Sequence, residues 1–115
     1  MPKPARPCFI ELPTRDITAA QTFYKSVFEW EMSAFGPSYA CTMTGDVDVG
    51  LQGDRVEATA APLPVIEVAV LESALDAVQR AGGTITKPIF GFPGGRRFHF
   101  LDPSGNELAA MTPDA

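Results

Sequence analysis

Phe9-Ile10-Glu11-Leu12-Pro13 and Val65-Ile66-Glu67-Val68-Ala69-Val70 decide the reading of this chain. Each is a short run of branched or aromatic residues with a Glu at the same place between apolar neighbours, and about half the chain separates them. Such runs read as strands. A run that returns in the same form points to an architecture built twice.

The segments after the two runs support the repeat. After the first, Thr18 and Gln21 have capping-box spacing, and Ala20, Phe23, Val27 and Phe28 fall on one helical face. After the second, Ser73 can cap with Asp76, the stripe is Ala74, Leu75, Val78 and Ala81, and Gly82-Gly83 ends the helix. Short strands are expected over 39–44 and 48–52 in the first half, and over 97–101 and 107–111 in the second. Residues 57–64, with two prolines and no periodicity, read as the connector. The plan is a first module over about 8–56 and a second over about 65–112, each a strand, a helix and three strands.

Composition narrows the function classes. The 115 residues carry 9 basic and 14 acidic side chains, a formal charge of −5, which argues against a protein that tracks nucleic-acid phosphates. No apolar run approaches the roughly 20 residues of a membrane span, and the N-terminus lacks the apolar core of a secretory signal. Cys8 and Cys41 have neither disulfide-framework nor metal spacing, so two reduced thiols in the cytoplasm are expected.

Four stretches carry a likeness to known proteins. They are Leu12-Pro13-Thr14-Arg15-Asp16, Phe23-Tyr24-Lys25-Ser26-Val27-Phe28-Glu29-Trp30, Ala81-Gly82-Gly83 and Asp102-Pro103-Ser104-Gly105-Asn106. In this order the chain resembles the vicinal-oxygen-chelate superfamily, which includes glyoxalase I, bleomycin-resistance proteins and extradiol dioxygenases. The resemblance implies an α+β fold: two paired βαβββ modules forming a U-shaped, partly open eight-stranded sheet around a cup, helices outside. It also implies a homodimer, and a metal held on the first and last strands of each module. At those positions stand Phe9, Val65 and Ala109, with the fourth near Val49 to Leu51. None of these gives a divalent ion the three or four donors it needs. No metal and no cofactor are therefore expected.

Strand alternation sorts the remaining candidates. Cys8, Ile10 and Leu12 share one face of the first strand, and Phe9 and Glu11 the other. In the second half Phe98 and Phe100 oppose Arg97 and His99, and Leu108 and Ala110 oppose Glu107, Ala109 and Met111. The apolar sets should pack on helices. The mixed sets, with Glu11, Glu67, Arg97, His99 and Glu107, should then line the cup, with Phe9, Val65, Ala109 and Met111 as walls. These polar residues read in three ways: a solvated sheet face, a ligand or acid–base set, or an all-carboxylate site for a hard cation. Facing carboxylates at Glu11 and Glu67 would raise one pKa. The segment from Ile89 to Arg97, with Phe92 near its tip, reads either as a glycine-rich flap or as a plain hairpin connection. Trp30 and Tyr39 are expected between sheet and helix, and Cys8 as an inert thiol.

The leading expectation is a metal-free protein that binds a small molecule, and acidic anchors of this kind could hold a cationic one. The alternatives are a metal-independent lyase or isomerase with Glu11 or Glu67 as general base and His99 or Arg97 stabilising an enolate, an all-carboxylate metal enzyme, and a partner-binding module.

Overall fold

The structure, a computed structural model, describes residues 5–114. The first residues of the stretch read for a signal, and the last residue of the chain, lie outside it. The elements run β1 (Arg6–Pro13), α1 (Ile17–Phe28), β2 (Ser33–Ala34), β3 (Tyr39–Cys41), β4 (Asp48–Gln52), β5 (Leu63–Glu67), α2 (Leu71–Arg80), β6 (Thr84–Phe92), β7 (Gly95–Leu101) and β8 (Glu107–Pro113). This is βαβββ twice, an α+β chain. No helix among the described residues is long and apolar enough to cross a membrane.

The chain divides into two compact units, Phe9–Leu63 and the part from Pro64 onward, the latter taking in the start of β1 as far as Cys8. In the first, the strands lie in the order β2-β3-β4-β1. β1 runs parallel to β4 with Phe9 opposite Asp48 and Glu11 opposite Gly50, and β3 pairs antiparallel with β4. The second repeats the plan in the order β5-β8-β7-β6. There β5 runs parallel to β8, with Val65 opposite Ala109 and Glu67 opposite Met111. β5 begins at Leu63, so the last two residues of the expected connector are strand, and Leu63 is fully buried.

The helix caps differ from those expected. Asp16, in extended backbone, accepts a 3.0 Å hydrogen bond from the Ala19 amide and starts α1, so Thr18 lies inside the helix. A carboxylate is a strong N-cap acceptor, and Asp16 stands before the first helical residue. α2 starts at Leu71 with no side-chain cap, which places Ser73 in its first turn. Its end is as read: Gly82 takes φ 96° and the Gly83 amide returns to the Val78 carbonyl at 2.9 Å.

The two helices cover their sheets unequally. Leu71, fully buried, joins Phe98 and Ala110 in a core flanked by Val68, Ala74, Leu75, Val78, Ile85, Ile89 and Phe100. Leu71 thus completes the stripe in place of Ala81, which is exposed. On α1 the half-buried residues are Ile17, Ala20, Gln21 and Tyr24, while Phe23, Val27 and Phe28 are 52–56% exposed. The expected stripe of Ala20, Phe23, Val27 and Phe28 is therefore wrong by about one position around the helix. Tyr24 stacks on Trp30 with centroids 5.2 Å apart, and Phe28 packs on the same indole at 5.1 Å while staying more than half exposed.

The segment from Ile89 to Arg97 is a hairpin and not a flap. Ile89 to Phe92 continue β6, Gly95 opens β7 opposite Phe92, and Pro93-Gly94 makes the turn. Gly95 has no room for a side chain, because a Cβ there would run into the Thr112 carbonyl on β8.

Candidate functional site

In the second unit, the helix-covered face of β7 carries Phe98 and Phe100, as alternation requires. The opposite face carries Arg97 and His99. The ladder sets His99 beside Ala109 on β8 and Lys87 on β6, and Arg97 beside Met111 and Phe90. Val65 and Glu67 extend these two rows on β5. The expected residues Val65, Glu67, Arg97, His99, Glu107, Ala109 and Met111 therefore share one face of one sheet.

His99 is completely buried. Its Nδ1 lies 3.0 Å from Glu107 Oε2, while Nε2 is buried with no protein hydrogen-bond partner among the described residues. Thr86 Oγ1 also donates to Glu107 Oε2, at 3.4 Å. Burial holds the imidazole below its ordinary pKa of 6.5; the hydrogen bond to Glu107 works against this, and the charges of Arg97 and Lys87 add to it. Arg97 is 7% exposed, and its guanidinium lies 5.3 Å from the ring centroids of both Phe90 and Phe92. The Phe90 ring is also 5.8 Å from the His99 ring. The contribution of Phe90 and Lys87 was missed in the sequence. Reading β6 as a strand through Phe92 would have placed both opposite β7.

The first unit has a different lining. Glu11 is 2% exposed, and Tyr39 donates its hydroxyl to Glu11 Oε1 at 3.3 Å. Tyr39 thus reaches Glu11 on the strand face shared with Phe9, not the space between sheet and helix. A Cβ on Gly50 would lie 2.5 Å from the Tyr39 hydroxyl and 2.6 Å from Phe9 Cζ. The Phe9 ring occupies the space over Gly50. Elsewhere in this unit, Glu29, Trp30, Met32, Met43 and Thr44 line an open recess of about 470 Å³ that includes none of the expected site residues. Burial, and then the Glu67 carboxylate, push the Cys8 thiol above its ordinary pKa, so it stays protonated.

A family model matches residues 8–110, described as the Glyoxalase/Bleomycin resistance protein/Dioxygenase superfamily. The chain belongs to that superfamily. Among solved structures, a glyoxalase superfamily member from Vibrio splendidus 12B01 is similar at TM-score 0.73 and 19% identity, covering 95% of this chain and 99% of the other. The structure of an NAD-dependent benzaldehyde dehydrogenase from Legionella pneumophila gives TM-score 0.74 at 15% identity, over 96% of this chain and 100% of that one. A methylmalonyl-CoA epimerase from Streptomyces coelicolor, in complex with 2-nitronate-propionyl-CoA, gives 0.69 at 14% identity, over 96% and 98%. At these identities the likeness is one of fold. No curated protein matches the chain.

The superfamily's metal can be tested against the ladder. Val65 and Ala109 stand opposite each other and offer no donor. Their counterparts in the first module are Phe9 and Asp48, so the fourth position is Asp48 and not the expected Val49 to Leu51. Asp48 is a donor, but its carboxylate is already engaged. It accepts from Thr42 Oγ1 at 2.7 Å, the Thr44 amide and hydroxyl at 2.8 Å, and the Gly45 amide at 3.0 Å. Those bonds hold its pKa below the ordinary value against the opposing effect of burial. Among the described residues no three His, Cys, Asp or Glu side chains converge to hold an ion. The residues present do not fit the superfamily's metal.

Proposed function

We propose that this superfamily member binds a small molecule on the polar strand face without the metal its relatives use. The observation that carries the reading is that buried ionisable groups stand beside apolar residues at the metal positions. The metal positions hold Phe9, Val65 and Ala109, yet Glu11, Arg97 and His99 remain almost wholly buried on the same strand faces. Burying such groups costs stability unless hydrogen bonds or charge partners offset it. A strand face serving only as core would carry apolar residues there. In the second unit Glu67 and Glu107 are the acidic anchors, with Val65, Phe92, Ala109 and Met111 as apolar walls; in the first, Glu11 and Phe9 take the matching roles. The epimerase structure with its bound propionyl-CoA derivative supports a small organic ligand as the class for this fold.

The His99–Glu107 pair favours a second reading, a metal-independent lyase or isomerase. The two are separated by one comparison. In a binding protein, Glu67→Gln weakens a bound cation and no turnover exists to lose. In an enzyme, Glu107→Gln or His99→Gln lowers turnover with affinity largely kept. The broad test is a thermal-shift screen of a metabolite and antibiotic library, with and without divalent cations, on the purified cytoplasmic homodimer that we expect. A ligand at about 100 times its Kd adds roughly 2.7 kcal/mol. Stabilisation by organic ligands without added metal is the expected result. Stabilisation only when a divalent cation is present, with one equivalent of metal bound per chain, would overturn the reading. A light-scattering mass of a single 12.3 kDa chain would remove the dimer alone.

A further inference from the structure

We infer that His99 Nε2 is a bare lone pair that takes the proton of a weakly acidic hydroxyl on a planar ligand, with Glu107 fixing the tautomer. This deepens the reading above and rests on it.

Hydrogen-bond chemistry leads there directly. A carboxylate has only lone pairs to offer, so across the 3.0 Å contact the hydrogen must sit on Nδ1. A neutral ring has one N–H, which leaves Nε2 as an acceptor. That acceptor is buried, with no protein donor among the described residues. A buried polar atom left in this way costs about 1–3 kcal/mol. A ligand that serves it must bring a donor.

The neighbours narrow the class. Arg97 lies two residues from His99 on one strand face, about 6.6 Å along β7. Its guanidinium is held over Phe90 and Phe92. A ligand beside these groups meets aromatic rings and a fixed positive charge, which suits a flat molecule whose oxygen becomes negative. Phenols and stable enols have that character. In the step, the O–H bond breaks, its electron pair stays on oxygen, and the proton joins the Nε2 lone pair. The imidazolium so formed keeps its Nδ1–H on Glu107, and the oxyanion faces Arg97. No further reactant is required. Glu107 is a positioning residue, since it acts only through His99.

Phe90, whose ring lies 5.8 Å from the His99 ring, sits on β6, the terminal strand in the sheet order, beside the register shift between Lys87 and Phe90.

His99 is the sole histidine in the chain, which makes the test direct. In protein labelled with 15N-histidine, NMR of the ligand-free state at neutral pH should show Nδ1 protonated and Nε2 bare. The opposite tautomer overturns the inference. The probe is 4-nitrophenol, titrated below its solution pKa. Bound probe should show the phenolate absorbance band, with its apparent pKa lowered by about one unit or more, a tenfold shift in ionisation. In the same titration Nε2 should gain its proton. His99→Gln should bind the phenol without ionising it, and Glu107→Gln should shift the ring toward the Nε2–H tautomer and lower the ionised fraction. A purely structural role for Glu107 would leave the tautomer unchanged. Probe that binds native protein yet stays neutral, or does not bind at all, refutes the proton-accepting role. The library screen then still decides the broader reading.

Discussion

Gly50→Ala tests the claim that Phe9 fills the first module's metal position. The added Cβ would stand 2.5 Å from the Tyr39 hydroxyl and 2.6 Å from Phe9 Cζ, closer than real Cβ contacts come. Both rings must move. Overpacking of this kind costs about 1–3 kcal/mol. Against it, Ala restricts the unfolded chain and returns about 0.4–1 kcal/mol. The net expectation is a loss of about 1–2 kcal/mol, or about 4–8 °C in Tm for a chain of this length. Phe9→Ala alone removes a half-buried ring and should cost about 2 kcal/mol, less than the 3–5 of a fully buried one.

The informative measurement is the double variant. With the ring gone the new methyl has room on that side, so Phe9→Ala with Gly50→Ala should cost about 0.5–1.5 kcal/mol less than the sum of the singles. Urea unfolding with an unchanged m-value provides the comparison. Strict additivity, or a neutral Gly50→Ala, would show that Phe9 does not occupy the space over Gly50.

Other substitutions test the remaining assignments. Asp16→Ala should cost about 1 kcal/mol by removing the cap of α1, whereas Thr18→Ala should stay within about 0.5, as urea midpoints will show. Phe98→Ala, in the core under α2, should cost about 3–5 kcal/mol, while Phe23→Ser on the exposed side of α1 should cost under about 1; a reversed order would move the core. Stability should also fall between about pH 7 and pH 5. His99 has a folded pKa below the ordinary 6.5, so below that pH the unfolded chain binds the extra proton, and the contribution present above 6.5 is lost as pH falls. Burial is the main cause, the Arg97 and Lys87 charges add to it and Glu107 opposes it, whereas the lowered Asp48 acts only below about its ordinary 3.8. His99→Gln should flatten the stability profile over that interval.

Much of the fold is legible in the sequence because the repeat is written in strand and helix periods. β4 can be read to its ends, and the pairing of faces on β7 follows from alternation alone. The α1 stripe misleads because apolar count favours Phe23, Val27 and Phe28, whereas those side chains are more than half exposed and the half-buried side is Ile17, Ala20, Gln21 and Tyr24. β6 is obscured by the glycines and proline that make its turn. The site is legible as a list of residues on one face but not as partners. Nothing in the sequence distinguishes Glu107 as the residue bonded to His99 from Glu67, which lies in the adjoining row. Asp48 escapes notice as a ligand-position residue because the ladder, and not the sequence spacing, sets it opposite Phe9.

The loss of metal donors is distributed over both modules, and this bears on what the protein is for. A single reversal such as Phe9→His would supply one donor where three or four are needed. Val65 and Ala109 would still present hydrocarbon, and Asp48 would have to give up its bonds to Thr42, Thr44 and Gly45. The first module has filled its position with an aromatic ring over a glycine that has no room for a Cβ, so the filling is built into two residues at once. The second has not been filled by bulk. Beside Val65 and Ala109 it holds an imidazole fixed by a carboxylate and a guanidinium fixed on two rings. Hydrophobic repacking would have been the more direct route to a stable sheet face. The proposed ligand site accounts for keeping these ionisable groups there, where packing alone would favour hydrocarbon.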